Sequence, residues 1–166
     1  ITIAVNNDYG KNKVPYGSSF DWPNDGGIIR KAVLLISGKS SADYITARTH
    51  LNVKDSSGSL RIKLGMDSSR FRRTAIAVDI REENQPEKNL LFSGRVSPVW
   101  VNGEAIAALQ LPRVHPWHFD FPNLYRITVT VLDGAKVSDR LSLVVGFREI
   151  KFENGKLYLN GERVKL

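Results

Sequence analysis

The chain has 166 residues, of which 24 are Lys or Arg and 17 are Asp or Glu, so its formal net charge is +7. It has no cysteine and only three histidines, which excludes a disulfide framework or a thiolate zinc site and argues against a metal site. We expect no cofactor. Apolar residues make up 42% of the chain, which is a globular composition. Apolar runs such as 32–36 are far shorter than the roughly 20 residues of a membrane span, so we expect no membrane partner.

Period-two alternation of apolar side chains predicts strands that each bury one face. In chain order the predicted strands span 1–6, 28–37, 43–53, 60–66, 74–80, 90–96, 104–111, 125–132, 137–146 and 148–153. Turn sequences such as Asn102-Gly103 and Asp133-Gly134 separate them. Short strands at this spacing predict an all-β chain folded as an antiparallel β-sandwich.

Two of these segments also fit a helix. Residues 70–83 match a helical spacing, but their β-branched side chains fall on one alternating face, which favours a strand. Residues 104–110 are good helix formers, so local propensity alone favours a helix there. We predict strands in both segments.

Two regions flank the central part of the chain. Residues 10–27 are rich in Gly, Pro, Asn and Asp and are predicted to form a long loop. Residues 148–166 contain two hairpin signals, Asn154-Gly155 and Asn160-Gly161, which predict a small meander or the start of a linker. Because the first residue is Ile and residues 1–5 already alternate as in a strand, we expect the chain to be a piece of a longer protein.

The one compact basic group consists of Arg70, Arg72 and Arg73 around Phe71. It could present guanidinium groups to phosphates beside a stacking ring. Charged residues at the start of a strand more often protect a sheet edge, and the remaining positive charge is spread thinly along the chain. We therefore expect no nucleic-acid partner.

Four elements follow in a fixed order in the second half of the chain: Phe121-Pro122-Asn123-Leu124-Tyr125, then Asp139, then Gly146-Phe147-Arg148, then Leu157-Tyr158-Leu159-Asn160-Gly161. Together they resemble the end of the immunoglobulin-like domain of glycoside hydrolase family 2, which includes β-galactosidases, β-glucuronidases and β-mannosidases. An upstream segment, residues 20–30, resembles the loop and last strand of the jelly-roll sugar-binding domain that precedes it in that family.

The resemblance implies three parts. Residues 1–42 would be the C-terminal strands and loop of the jelly roll, 43–148 the immunoglobulin-like β-sandwich, and 149–166 a β-hairpin or linker leading into a TIM-barrel catalytic domain. It implies a non-catalytic fragment that positions the sugar-binding and catalytic domains of a parent enzyme acting on β-glycosidic bonds such as β-galactosides. Its partners would be those neighbouring domains and, through the intact enzyme, a carbohydrate substrate. The alternative is a free-standing carbohydrate-binding or surface interaction module.

Two residues of the upstream loop are candidate substrate contacts. The resemblance implies that Asp21 reaches the mouth of the parent's active site, where its carboxylate would contact sugar hydroxyls or a bound cation. The alternative is that Asp21 caps a Gly-rich turn. Trp22 would stack on a sugar ring, pack on the sandwich or lie at a domain interface.

Five further residues are predicted to be structural or to lie at a domain interface. Trp117, beside Pro116, should close one end of the sandwich core. Tyr125 should bond its hydroxyl to nearby backbone in the manner of a tyrosine corner. The resemblance implies that Arg148 pairs across the junction to the barrel, and Asp139 and Phe147 belong to the same motif.

No catalytic residue is predicted. Glu82 and Glu83 are adjacent in a strand, so their side chains should point to opposite faces. His115 and His118 flank Trp117 in a loop and are interpreted as solvated side chains rather than metal ligands.

Overall fold

The computed structural model describes residues 2–5, 27–34, 36, 40–66, 74–84 and 90–165. The chain divides into two compact units, Ile1–Ile36 and Ser37–Leu166. The described residues contain strands, turns and loops and no helix, so none of them belongs to a helix able to cross a membrane.

In the first unit, the strands predicted over 1–6 and 28–37 are wrong for the residues that the structure describes. Residues 2–5, 27–34 and 36 are exposed and lie outside any strand. A strand needs a neighbour to accept and donate its backbone hydrogen bonds, and among the described residues of this unit there is none. The alternating pattern alone does not supply that neighbour.

The second unit contains eleven strands in the described residues. They are β1 (Ala42–Asn52), β2 (Ser57–Met66), β3 (Thr74–Glu82), β4 (Leu90–Val96), β5 (Val99–Val101), β6 (Glu104–Leu111), β7 (Tyr125–Asp133), β8 (Lys136–Val145), β9 (Ile150–Glu153), β10 (Lys156–Leu159) and β11 (Glu162–Val164). One four-stranded sheet has the order β1-β2-β6-β5 and another has the order β4-β3-β7-β8. These antiparallel sheets form an immunoglobulin-like sandwich, which confirms the predicted fold class.

Alternation places one face of each sheet in a common core. The buried members of this core are Leu51, Leu60, Ile62, Leu64, Met66, Ile76, Val78, Ile80, Ala105, Leu111, Val114, Tyr125, Ile127, Val129, Val131 and Phe147. The helix-forming segment 104–111 is a strand because β2 and β5 pair with it on either side. Tertiary pairing therefore overrides its local propensity.

Side-chain hydrogen bonds join the edge strands β1 and β8, which belong to different sheets. The backbone N–H of Ala42 donates to Oδ2 of Asp139 at 2.9 Å, and that of Ser40 donates to Oγ of Ser138 at 3.0 Å. Further along, Oγ1 of Thr49 donates to the carbonyl of Gly146 at 2.9 Å. Because Ala42 lies beside Asp139 and Thr49 beside Gly146, the two strands run in the same direction.

The last three strands form a separate antiparallel sheet of order β11-β10-β9, which we call the C-terminal sheet. Its two turns have positive φ at both central residues: 49° and 71° at Asn154-Gly155, and 51° and 83° at Asn160-Gly161. This is the type I′ geometry that suits the twist of a two-residue hairpin. The two Asn-Gly turns thus connect the three strands of a small meander.

Candidate functional site

The candidate site is the junction between the sandwich and the C-terminal sheet. Its centre is the backbone of Trp117, whose N–H donates to the carbonyl of Phe147 at 2.8 Å. The carbonyl of Trp117 accepts a hydrogen bond from Nδ2 of Asn160 at 2.9 Å. Oδ1 of Asn160 in turn accepts the N–H of Glu149 at 2.9 Å. The loop before β7, the end of β8 and the second turn of the C-terminal sheet are thereby held together.

Side-chain packing reinforces the same junction. The guanidinium carbon of Arg148 lies 5.1 Å from the centroid of the Trp117 ring, which is a cation–π distance. Phe119 meets that ring edge to face, with centroids 5.3 Å apart. Gly146 leaves room for the indole, because a Cβ there would lie 2.9 Å from Cβ of Trp117. The structure thus places Arg148 on an aromatic ring of the same chain.

Tyr125 and Phe147 form the buried side of the junction. Their rings meet edge to face at 5.3 Å, and both side chains are essentially inaccessible to solvent. The Tyr125 hydroxyl accepts the backbone N–H of His115 at 2.7 Å, a bond of the kind expected for a tyrosine corner at the start of this strand. Burial raises the pKa of Tyr125 to about 12. The residue is therefore an uncharged structural anchor at neutral pH.

The C-terminal sheet has one largely apolar face, on which Glu162 of β11 is the charged exception, and one polar face. Register places Ile150 opposite Leu159, and Phe152 opposite Leu157, which is itself opposite Val164. Leu159 is only 3% exposed, whereas Ile150 is 60% and Phe152 77% exposed. The sandwich thus covers one part of the apolar face and leaves the β9 part open to solvent.

The carboxylates near the junction each engage a separate basic partner. Oε1 of Glu82 lies 2.7 Å from Nδ1 of His115, and Glu83 forms a two-pronged ion pair with Arg126. The hydrogen bonds and charge of Glu83 raise the pKa of Arg126. Each of the two glutamates is therefore held by its own basic partner.

The two loop histidines have different surroundings. His115 contacts Glu82, and Nδ1 of His118 lies 3.3 Å from Oδ2 of Asp120. Although their carboxylate partners differ, both histidines line one groove of about 470 Å³, together with Val53, Phe121 and Glu162. No cluster of three metal-ligating side chains occurs among the residues that the structure describes.

Sequence reasoning placed Tyr125, Trp117, Phe147 and Arg148 without showing that they meet at one junction, and it missed Asn160 as the residue that links them. Asn160 belongs to an Asn-Gly turn and to the last of the four elements that carry the family resemblance, but neither signal indicates how its amide group is used. Asp21 and Trp22, and the basic group at 70–73, lie outside the described residues.

Comparison with known proteins gives a consistent match. The family model described as Glycosyl hydrolases family 2 matches residues 43–148. A β-galactosidase of Psychromonas ingrahamii is 30% identical over 144 residues, which cover 82% of this chain and 14% of that protein. A β-galactosidase of Thermoanaerobacterium thermosulfurigenes is 26% identical over 176 aligned positions, which cover 100% of this chain and 23% of that protein.

A solved structure supports the fold. The β-glucuronidase of Parabacteroides merdae superimposes with a TM-score of 0.62 at 21% identity, over 76% of this chain and 16% of that one. The chain therefore spans less than a quarter of the length of each of these relatives.

Proposed function

The chain belongs to family 2 of the glycosyl hydrolases, and from this premise we propose that its sandwich is a non-catalytic spacer that fixes the positions of a sugar-binding domain and a catalytic domain in a longer enzyme. That enzyme would hydrolyse β-glycosidic bonds such as those of β-galactosides. Asp21 and Trp22 would then serve the substrate only in the intact enzyme.

The single observation that carries this proposal is the half-covered apolar face of the C-terminal sheet. Exposed aromatic and aliphatic side chains in register, such as Phe152 and Ile150, are typical of a surface that a further domain covers. Burying the two side chains would stabilise such a contact by about 1.5–3 kcal/mol each.

The junction supplies the stiffness that a spacer needs. Asn160, Trp117 and Glu149 tie the C-terminal sheet to the sandwich through paired hydrogen bonds. When a site is assembled from separate domains, a displacement of about 1 Å can cost about a hundredfold in rate. A rigid junction therefore contributes to catalysis without touching the substrate.

The test has two arms. We expect the isolated chain to show no turnover of aryl β-galactosides or aryl β-glucuronides, because hydrolysis needs two carboxyl groups held in one site. Turnover that survives removal of contaminating enzymes would refute the proposal. Saturable heat on titration with oligosaccharides, lost in Trp22→Ala, would favour the alternative of a free-standing carbohydrate-binding module.

The second arm tests the apolar face. In the isolated chain Phe152→Ser should change the free energy of unfolding by less than about 0.5 kcal/mol, because the side chain is already exposed. In a longer protein that includes the next domain, the same substitution should lower both the melting temperature and the hydrolysis rate. Leu159→Ser, at the buried position, is the control that should destabilise both proteins.

A further inference from the structure

The outer face of the sheet β1-β2-β6-β5 carries a cross-strand pair of arginines. Arg48 of β1 lies directly opposite Arg61 of β2, and both side chains are exposed. Directly opposite residues have Cβ atoms about 4.5–5.5 Å apart, and like charges at such positions repel. Among the described residues neither guanidinium has an ion-pair partner. We call Arg48 and Arg61 the arginine pair.

The other sheet contains a matched case that is compensated. Arg81 of β3 lies opposite Arg126 of β7. There Glu83 binds Arg126 through both of its carboxylate oxygens. The fold therefore supplies a carboxylate to one cross-strand arginine pair, whereas the described part of the chain supplies none to the other.

The neighbours of the arginine pair extend it into a mixed surface. On one side the next row contains His50, Ser59 and Gln110, which can donate hydrogen bonds. On the other side the next row contains Thr46, Lys63, Ile106 and, at the sheet edge, Val99, which is 66% exposed. Arginine is one of the residues enriched in protein interfaces.

The remaining charged group of this face is already neutralised. Lys63 and Tyr44 both bind Glu104, at 2.8 Å and 2.7 Å. These two hydrogen bonds lower the pKa of Glu104 and keep its carboxylate ionised. The net positive charge of the face therefore comes from the arginine pair.

We propose that the arginine pair and the row of His50, Ser59 and Gln110 form an interaction surface for an acidic protein segment, whose carboxylates bind the two guanidinium groups. A planar carboxylate matches the guanidinium fork, and two carboxylates on alternate residues of an extended segment would reach both arginines. A second copy of this chain is a poor occupant, because the chain has a net charge of +7. The surface lies on the sandwich itself, so it is independent of the spacer role and either proposal can fail alone.

The test is an NMR titration of the whole chain with a hexaglutamate peptide at low ionic strength. We expect saturable amide shifts centred on β1 and β2, and an affinity about fivefold weaker in each of Arg48→Gln and Arg61→Gln. Arg140→Gln, which removes an exposed arginine on β8, should leave the affinity unchanged. Absence of saturable shifts, or equal loss in all three variants, would overturn the proposal.

Two further measurements decide between ligand classes and test the repulsion. A single-stranded oligodeoxynucleotide of equal charge should bind more weakly than the peptide; tighter binding through the same arginines would overturn the choice of carboxylates.

Arg61→Glu replaces repulsion by attraction, so it should abolish peptide binding while raising the melting temperature by about 1–3 °C. An unchanged or lower melting temperature would contradict the repulsion on which the proposal depends.

Discussion

Replacing Asn160 by aspartate tests the junction most directly. Asn160→Asp keeps the oxygen that accepts the N–H of Glu149 but replaces the amide that donates to the carbonyl of Trp117. A carboxylate oxygen would then face a carbonyl oxygen at hydrogen-bond distance. Losing this hydrogen bond and leaving the Trp117 carbonyl without a donor should lower the free energy of unfolding by about 2 kcal/mol. For a chain of this size the melting temperature should fall by about 4–8 °C.

The chain offers a matched control in its other hairpin turn of the same sheet. Asn154 also precedes a glycine and has a positive φ, but its side chain is exposed and makes no hydrogen bond to the described residues. Asn154→Asp introduces the same charge, and we expect it to shift the melting temperature by less than about 2 °C. Calorimetry of both variants at pH 7 measures the difference.

Lowering the pH should reduce the destabilisation that Asn160→Asp causes. Beside the Trp117 carbonyl, the introduced carboxyl group should have a folded-state pKa above its unfolded value of about 4. Its protonated form can donate to that carbonyl, so the deficit of Asn160→Asp should be smallest below about pH 4 and grow as the pH rises. Amide exchange at Glu149 reports on the same turn. Equal destabilisation by both aspartate variants would refute the proposed role of Asn160.

Two further predictions concern the buried side of the junction. Tyr125→Phe leaves the His115 N–H without its acceptor and should lower the free energy of unfolding by about 1–2 kcal/mol in urea. Burial raises the pKa of Tyr125 to about 12, above the unfolded value of about 10. The stabilising effect of the buried neutral hydroxyl should therefore be lost as the pH rises from about 10 to about 12. If Tyr125→Phe lost stability over this pH range in the same way, the prediction would be contradicted. Gly146→Ala places a Cβ 2.9 Å from Cβ of Trp117 and should cost about 1–3 kcal/mol, whereas Gly94→Ala, with its nearest contact at 3.5 Å, should be close to neutral. Equal urea midpoints for the two alanine variants would exclude the close packing as the cause.

The sandwich was predictable because its signals are local. Alternation in 60–66, 74–80 and 125–132 marks strands that bury one face, and the structure has β2, β3 and β7 there. The type I′ turns of the C-terminal sheet follow from Asn-Gly, since few other residues tolerate a positive φ at both positions. Residues 28–37 show the same alternation but have no neighbouring strand among the described residues, and the strand predicted there is not formed in the part that the structure describes.

The junction was less predictable because it depends on contacts between residues distant in sequence. The amide of Asn160 meets Trp117 across 43 positions, and the carboxylate of Asp139 meets the N–H of Ala42 across 97. Neither contact follows from the residue types, since asparagine and aspartate are common in turns for local reasons. Only the folded chain shows which of them also link separate elements.

The parallel course of β1 and β8 has a mechanical consequence. A chain held at Ser40, just before β1, and at Gly146, just after β8, is pulled at opposite ends of two neighbouring parallel strands. Stretching would therefore slide the strands past one another and load the bonds of Asp139, Ser138 and Thr49 at the same time, in shear. Hydrogen bonds that are loaded together in shear resist extension better than bonds that break one after another.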